Sequence, residues 1–214
     1  MDYEIIKQDF YRNFKEVLIK FSSSKDNKDI YVIVFDCDSS NGQICIRYGS
    51  ESDFKERKKD YNKYKESQEK IYGKYAMLEY KYSVGDLKFI EFEEQNEMKH
   101  FNETYYYIFT GDKYYGDGEP IEKIIINGDN IVLNESLEKT KQLWENIIVD
   151  CIKKLEIEEL GINKTNDFVM YMIDHDLTKK EKEIYVKKII DEKRYKKVFL
   201  KNKVVKNSLI DRLF

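Results

Sequence analysis

Proline is nearly absent from this chain, which has one, Pro120, beside nine glycines, three cysteines, two histidines and one tryptophan in 214 residues. So little proline and glycine excludes collagen-like and proline-rich extended classes. Cys37, Cys45 and Cys151 are odd in number and have no C-x-x-C spacing, which leaves no disulfide framework or zinc knuckle to read. Buried free thiols are expected. His100 and His175 sit on different segments without a second ligand at metal spacing, and the G-x-S-x-G and G-x-x-x-x-G-K signatures do not occur. No metal or cofactor is therefore expected. No run approaches the roughly 18 apolar residues that span a bilayer, and the opening MDYEIIKQDF carries acids where a signal peptide carries bases. The expectation is a cytoplasmic protein without a membrane partner.

Charge and aromatic residues are plentiful. Charged residues make up 37% and mean hydropathy is -0.71, a balance that favours disorder unless something supplies a core. Eighteen tyrosines and twelve phenylalanines supply it. The length suits one sizeable core, so residues 1–214 are read as a single α+β domain with a basic helical segment from about 178. Arginine accounts for only five of the 38 bases, at 12, 47, 57, 194 and 212. Between Lys179 and Lys206 there are twelve bases against four acids, a local +8, so the net charge of -3 leaves -11 on the remainder.

The longest apolar run, Ile30 to Phe35, has the pattern of a strand covered on both faces. A polar stretch ending in Asn41-Gly42 follows, and Gln43 to Tyr48 then alternates as a half-buried strand does, which predicts a hairpin. Ahead of it, Tyr3, Ile6, Phe10, Phe14, Val17, Leu18 and Phe21 recur at steps of three and four, predicting a helix that Asp2 can cap. Ser50 to Lys70 is read as a charged surface helix. Tyr75 to Tyr82 and Leu87 to Phe92 are read as strands around Ser83 to Asp86, and Tyr105 to Phe109 as another. Ile121 to Ile126 and Ile131 to Leu133 flank a turn, with their pairing left open.

Later, Leu137, Trp144, Ile147, Ile148, Cys151, Ile152 and Leu155 share a helical face, capped by Asn134 or Ser136 and stopped by Gly161. Phe168 to Ile173 is a late strand, and Thr178 with Glu181 forms a capping box for a last helix. Without regular β-α-β alternation the order favours α+β, a mainly antiparallel sheet packed by the N-terminal helix and C-terminal helices.

Three constellations bear on chemistry. Val34-Phe35-Asp36-Cys37-Asp38-Ser39 is an apolar strand ending in D-x-D, which resembles the first motif of haloacid-dehalogenase-like phosphatases. That likeness implies a nucleophilic first aspartate and a second acid or base beside magnesium, with Asp174-His175-Asp176 as further carboxylates. Acids at a strand end are also ordinary turn formers, and parallel βα units do not follow. Glu79-Tyr80-Lys81 with Asp60 echoes metal-dependent nucleases, yet such triplets arise by chance in a chain this rich in lysine and glutamate. The basic stretch from Lys193 to Lys206 interleaves aromatics with lysines as nucleic-acid binders do. Lysine contacts are nonspecific and an acidic body repels phosphate, so a solvated helix and strand whose charge complements that body is the better explanation, with nucleic-acid binding through this segment as a second alternative.

IYVIVFDCDSSNGQICIRYGSESDF, then LEYKYSVGDLKFIEF, and later FVMYMIDHD before a capped helix together resemble an uncharacterised bacterial domain family found beside polymorphic toxins. Its members are typically read as immunity proteins. The resemblance implies binding, not turnover: stoichiometric occlusion of a cognate toxin domain, with a basic nuclease as a fitting target. An acidic surface with exposed tyrosines suits such a target through steering and aromatic anchors. Asp36, Asp38, Glu91, Glu93, Glu94 and Asp117, with Tyr114 and Tyr115, are the candidate contact residues.

Overall fold

The apolar stripe of the N-terminal segment forms helix α1, Tyr3–Ser22, and buries Ile6, Phe10, Phe14, Val17, Leu18 and Phe21. The computed structural model describes residues 3–38, 43–63, 65, 81–90, 123–126, 129–132, 137–174 and 179–199. After α1 come strands β1, Ile30–Asp38, and β2, Gln43–Ser50, then helix α2, Glu51–Lys63. A 3-10 turn at Val84–Asp86 leads into the short strand β3, Lys88–Phe89. Strands β4, Lys123–Ile126, and β5, Asp129–Val132, precede the long helix α3, Leu137–Glu156. Strand β6, Lys164–Asp174, and helices α4, Lys179–Ile189, and α5, Glu192–Phe199, follow. The fold is α+β, with a mixed, mostly antiparallel main sheet.

That sheet has the order β3-β2-β1-β6, and β4 with β5 makes a separate antiparallel pair. Strand β1 is its axis, antiparallel to β2 and parallel to β6. Because side chains alternate along a strand, registered residues sort into two faces. Ile33, Phe35 and Cys37 share one with Ile44, Ile46, Tyr48, Met170, Met172 and Asp174. Helix α1 packs there, Phe14 against Phe35 and Phe21 against Tyr48, and α3 runs beside α1, tied by Lys7 to Asp150 at 2.9 Å. The opposite face carries Val32, Val34, Asp36, Cys45, Arg47 and Tyr171, and α5 covers part of it with Phe199 edge to face against Tyr171. Burial on both faces explains why β1 reads as an unbroken apolar run.

Several boundaries differ from those the sequence predicts. Strand β1 does not stop at Phe35 but continues through Asp38, because Arg47 on the neighbouring strand neutralises Asp36. Within the described part of the 87–92 strand, Lys88 and Phe89 form the ladder with Tyr48 and Arg47 of β2, and residues 91 and 92 lie outside the described residues. Of its proposed partner, Lys81 is helical and Tyr82 a turn, since the Lys81 carbonyl accepts the Tyr31 hydroxyl at 2.7 Å instead of a ladder bond. Helix α3 ends at Glu156, five residues before Gly161. That glycine holds a positive φ of 71° in the loop to β6, where its carbonyl accepts from Asn27. The single last helix is two, because the Asp191 carboxylate takes the Arg194 backbone N–H at 2.9 Å and starts α5 afresh.

The caps assigned to Asp2, Asn134, Ser136 and Thr178, and the 75–80 and 105–109 strands, lie outside the described residues. Among those described, no helix is long and apolar enough to cross a membrane.

Candidate functional site

The D-x-D motif ends β1, and its first aspartate is deep in the protein: Asp36 is 2% exposed. Its Oδ2 accepts from Arg47 Nε at 2.6 Å, and Arg47 also donates to the Leu87 carbonyl and lies 3.9 Å from the Phe89 ring centre. Hairpin register sets this up, since Asp36 faces Cys45 across the pair and the next residue on the same face of β2 is Arg47. Asp38, the second aspartate, is half-buried at the strand end.

Asp174 ends the parallel neighbour β6 at the same end of the sheet, level with Cys37, but it belongs to the α1 and α3 face, opposite Asp36. Glu145 of α3 is also buried and accepts the Tyr185 hydroxyl of α4. Burial, then Asp174 and Asp36, push the Cys37 thiol well above its usual range. Burial raises Cys45 to about 11. Asp36 and Asp174 therefore do not converge on one reaction centre: Asp36 is fixed as an ion-pair partner and Asp174 belongs to the other face, while Asp176 lies outside the described residues. Among the described residues, no three of His, Cys, Asp and Glu lie grouped to hold a metal ion.

A second polar locus surrounds the start of α2. Ser50 caps the helix, taking the Asp53 N–H at 3.2 Å and donating to its carboxylate at 2.8 Å. A helix N-terminus favours negative charge, and the protein fills it with its own carboxylates. Glu51 binds Lys81 at 2.6 Å and Asp53 binds Lys88 at 2.7 Å. A small cleft of about 180 Å³ lies here, lined by Tyr48, Gly49, Asp53, Glu56, Arg57, Asp86 and Lys88. Its charges largely satisfy one another.

Tyr31, the extra residue where β1 loses register between Ile30 and Val32, crosses over Gly49 towards Arg57 and Lys81. Its hydroxyl accepts from Arg57 at 3.0 Å, and burial raises its pKa, with Arg57 pulling the other way. Lys81 lies over the Tyr31 ring at 4.4 Å and meets Asp167 as well as Glu51. This is a clamp that holds residues 81–90 against α2 and β1. It also engages the lysine of the E-x-K motif, whose nominated acid Asp60 is exposed on α2; Glu79 lies outside the described residues.

Of the eight candidate contact residues, Asp36 is buried where an exposed position was expected, and Asp38 is partly accessible. Glu91, Glu93, Glu94, Tyr114, Tyr115 and Asp117 lie outside the described residues, as do His100 and His175. Arg47, Tyr31 and Arg57 are the residues sequence reasoning passed over. Arg47 was open to detection, because a hairpin turning at Asn41-Gly42 sets it diagonal to Asp36. The Tyr31 crossing depends on a register irregularity that no local pattern announces. No protein-family model, curated protein or solved structure matches this chain.

Proposed function

We propose that the protein acts by stoichiometric binding, as an immunity protein that occludes a cognate bacterial toxin domain in the cytoplasm of the cell that makes both. The observation that carries this reading is the composition of the sequence that follows the sheet edge. Strand β3 sets Phe89 at the edge, 43% exposed, and residues 91–120 follow directly with eight acids against two lysines and eight aromatics. Such a mixture offers steering charge and rigid anchors to a basic partner. The phosphatase alternative is weaker, because Asp36 is bonded to Arg47 at 2.6 Å in the interior. Asp36 accordingly leaves the proposed contact set, and Asp38, Glu91, Glu93, Glu94, Tyr114, Tyr115 and Asp117 remain.

The test is co-expression with the product of the adjacent gene, scoring growth rescue and co-purification. If a complex forms, Glu91→Lys, Glu93→Lys and Glu94→Lys together are expected to slow association at low salt, with the difference shrinking as salt rises. Tyr115→Ala is expected to speed dissociation by about 30-fold if it is an anchor worth about 2 kcal/mol. A harmless neighbour with nothing co-purifying would overturn the reading, as would affinity unchanged by all these substitutions.

A further inference from the structure

The charges of α2 are sorted by direction. At about 100° per residue, Phe54, Arg57 and Tyr61 occupy the arc turned to the protein, and Tyr61 is buried. Asp53, Glu56 and Asp60 occupy a second arc. Lys55, Lys58, Lys59 and Lys63 fill the third with Asn62, and all five are exposed. Lys55, Lys58 and Lys59 make no ion pair among the described residues. The first-turn acids that would ordinarily offset them, Glu51 and Asp53, are turned inward to Lys81 and Lys88.

This sorting has a cost. Lys55 with Lys59 and Lys59 with Lys63 are like charges four apart, and Lys55 with Lys58 three apart. Each such pair weakens a helix by about 0.2–0.5 kcal/mol. Interleaved Glu and Lys at four-residue spacing would have made an equally soluble surface while stabilising the helix. Elsewhere the chain does this: Glu183 with Lys187 on α4 and Glu192 with Lys196 on α5 are pairs four apart, at 2.9 and 3.1 Å. The basic C-terminal helices thus neutralise part of their own charge, whereas Lys55, Lys58 and Lys59 of α2 make no such pair among the described residues.

We propose that the outer face of α2 is a contact site for the phosphate backbone of a nucleic acid. Lysine is a point charge that binds phosphate without reading bases, and the stripe carries neither arginine nor an aromatic side chain, so the contact is sequence-independent. Its lack of apolar side chains gives nothing to insert into a bilayer, which favours a nucleic acid over an anionic membrane. The stripe from Lys55 to Lys63 runs about 12 Å at 1.5 Å per residue, over which a duplex presents about seven phosphates. This contact does not depend on the proposed partner protein.

The test is fluorescence anisotropy of a short labelled DNA duplex with the full chain across a salt series. Three neutralised phosphates give a slope of log K against log salt of about -2.7, or about 40-fold weaker binding between about 50 and 200 mM salt. Lys55→Glu, Lys58→Glu and Lys59→Glu together are expected to abolish binding without lowering the thermal midpoint, and the milder glutamine triple to weaken it. Lys193→Glu with Lys197→Glu on α5 is expected to leave it largely intact. No binding at the lowest salt would overturn the proposal. So would binding that survives the α2 variants and is lost in the α5 variant, or retention by anionic vesicles alone.

Discussion

Replacing Arg47 with methionine isolates the interaction at the centre of the sheet. The substitution keeps most of the side-chain stem but removes the guanidinium that holds Asp36 at 2.6 Å, where the two side chains are 14% and 1% exposed. Removing one partner of a buried ion pair costs about 3–5 kcal/mol, and the residual exposure of Arg47 places this site near the lower end. Loss of the guanidinium over the Phe89 ring adds about 0.5–1 kcal/mol, for about 3.5 kcal/mol in all, a large part of a typical domain's 5–15 kcal/mol.

Urea denaturation followed by fluorescence of Trp144, the one tryptophan and fully buried, measures the loss directly. The sharper result comes from a cycle. Asp36→Leu alone is expected to cost a similar amount, since it strands Arg47, whereas Asp36→Leu with Arg47→Met is expected to fall within about 2 kcal/mol of the natural protein, because apolar replacement of both partners is often near neutral. An Arg47→Met variant within about 1 kcal/mol of the natural protein, or additive losses in the double variant, would refute the view that this pair organises the strand end.

A Cβ added at Gly49 would lie 2.5 Å from the Tyr31 ring carbon Cζ and hydroxyl, so Gly49→Ala is expected to cost about 1–3 kcal/mol; a neutral result in the same denaturation assay would show that Tyr31 moves aside freely. Burial raises the Glu156 pKa against the pull of Arg194, and a carboxyl whose folded pKa exceeds its unfolded value contributes stability that is complete below the unfolded pKa and is lost as pH rises through the folded one. The stability of the natural protein relative to Glu156→Gln is therefore expected to fall as pH rises from about 4 towards neutrality, and a difference that instead grows with pH would contradict that assignment.

Where side-chain periodicity is strong, the sequence announces the structure. The α1 stripe, the buried run of β1, the alternation of β2 and the apolar face of α3 all depend on burial alone, and burial is written locally. Acidic residues misled where a distant cation changes their meaning. Asp36 reads as the first residue of a turn until Arg47 faces it, and the pairing of β1 with β6 joins segments with no shared local signal. The 81–90 segment failed for a related reason: its strand-like composition yields to the Tyr31 and Glu51 bonds that hold Lys81 out of a ladder. The D-x-D and D-H-D motifs were legible as motifs, but which face each acid occupies depends on strand parity and register, and neither can be read from spacing.

The parallel pairing of β1 with β6 also governs when the protein can fold. Ile30 meets Lys164, 134 positions later, so on a ribosome the axial strand waits for most of the chain to emerge before gaining its second neighbour. Loop closure over such a distance slows folding, and in the interval an apolar strand has an open edge, the condition under which nascent chains aggregate or recruit chaperones. Fragments ending before residue 164 retain the β1–β2 hairpin sequence but lack the strand that completes it. Expression yield should therefore depend steeply on where the chain is truncated at its C-terminal side, however little those residues add to any binding surface.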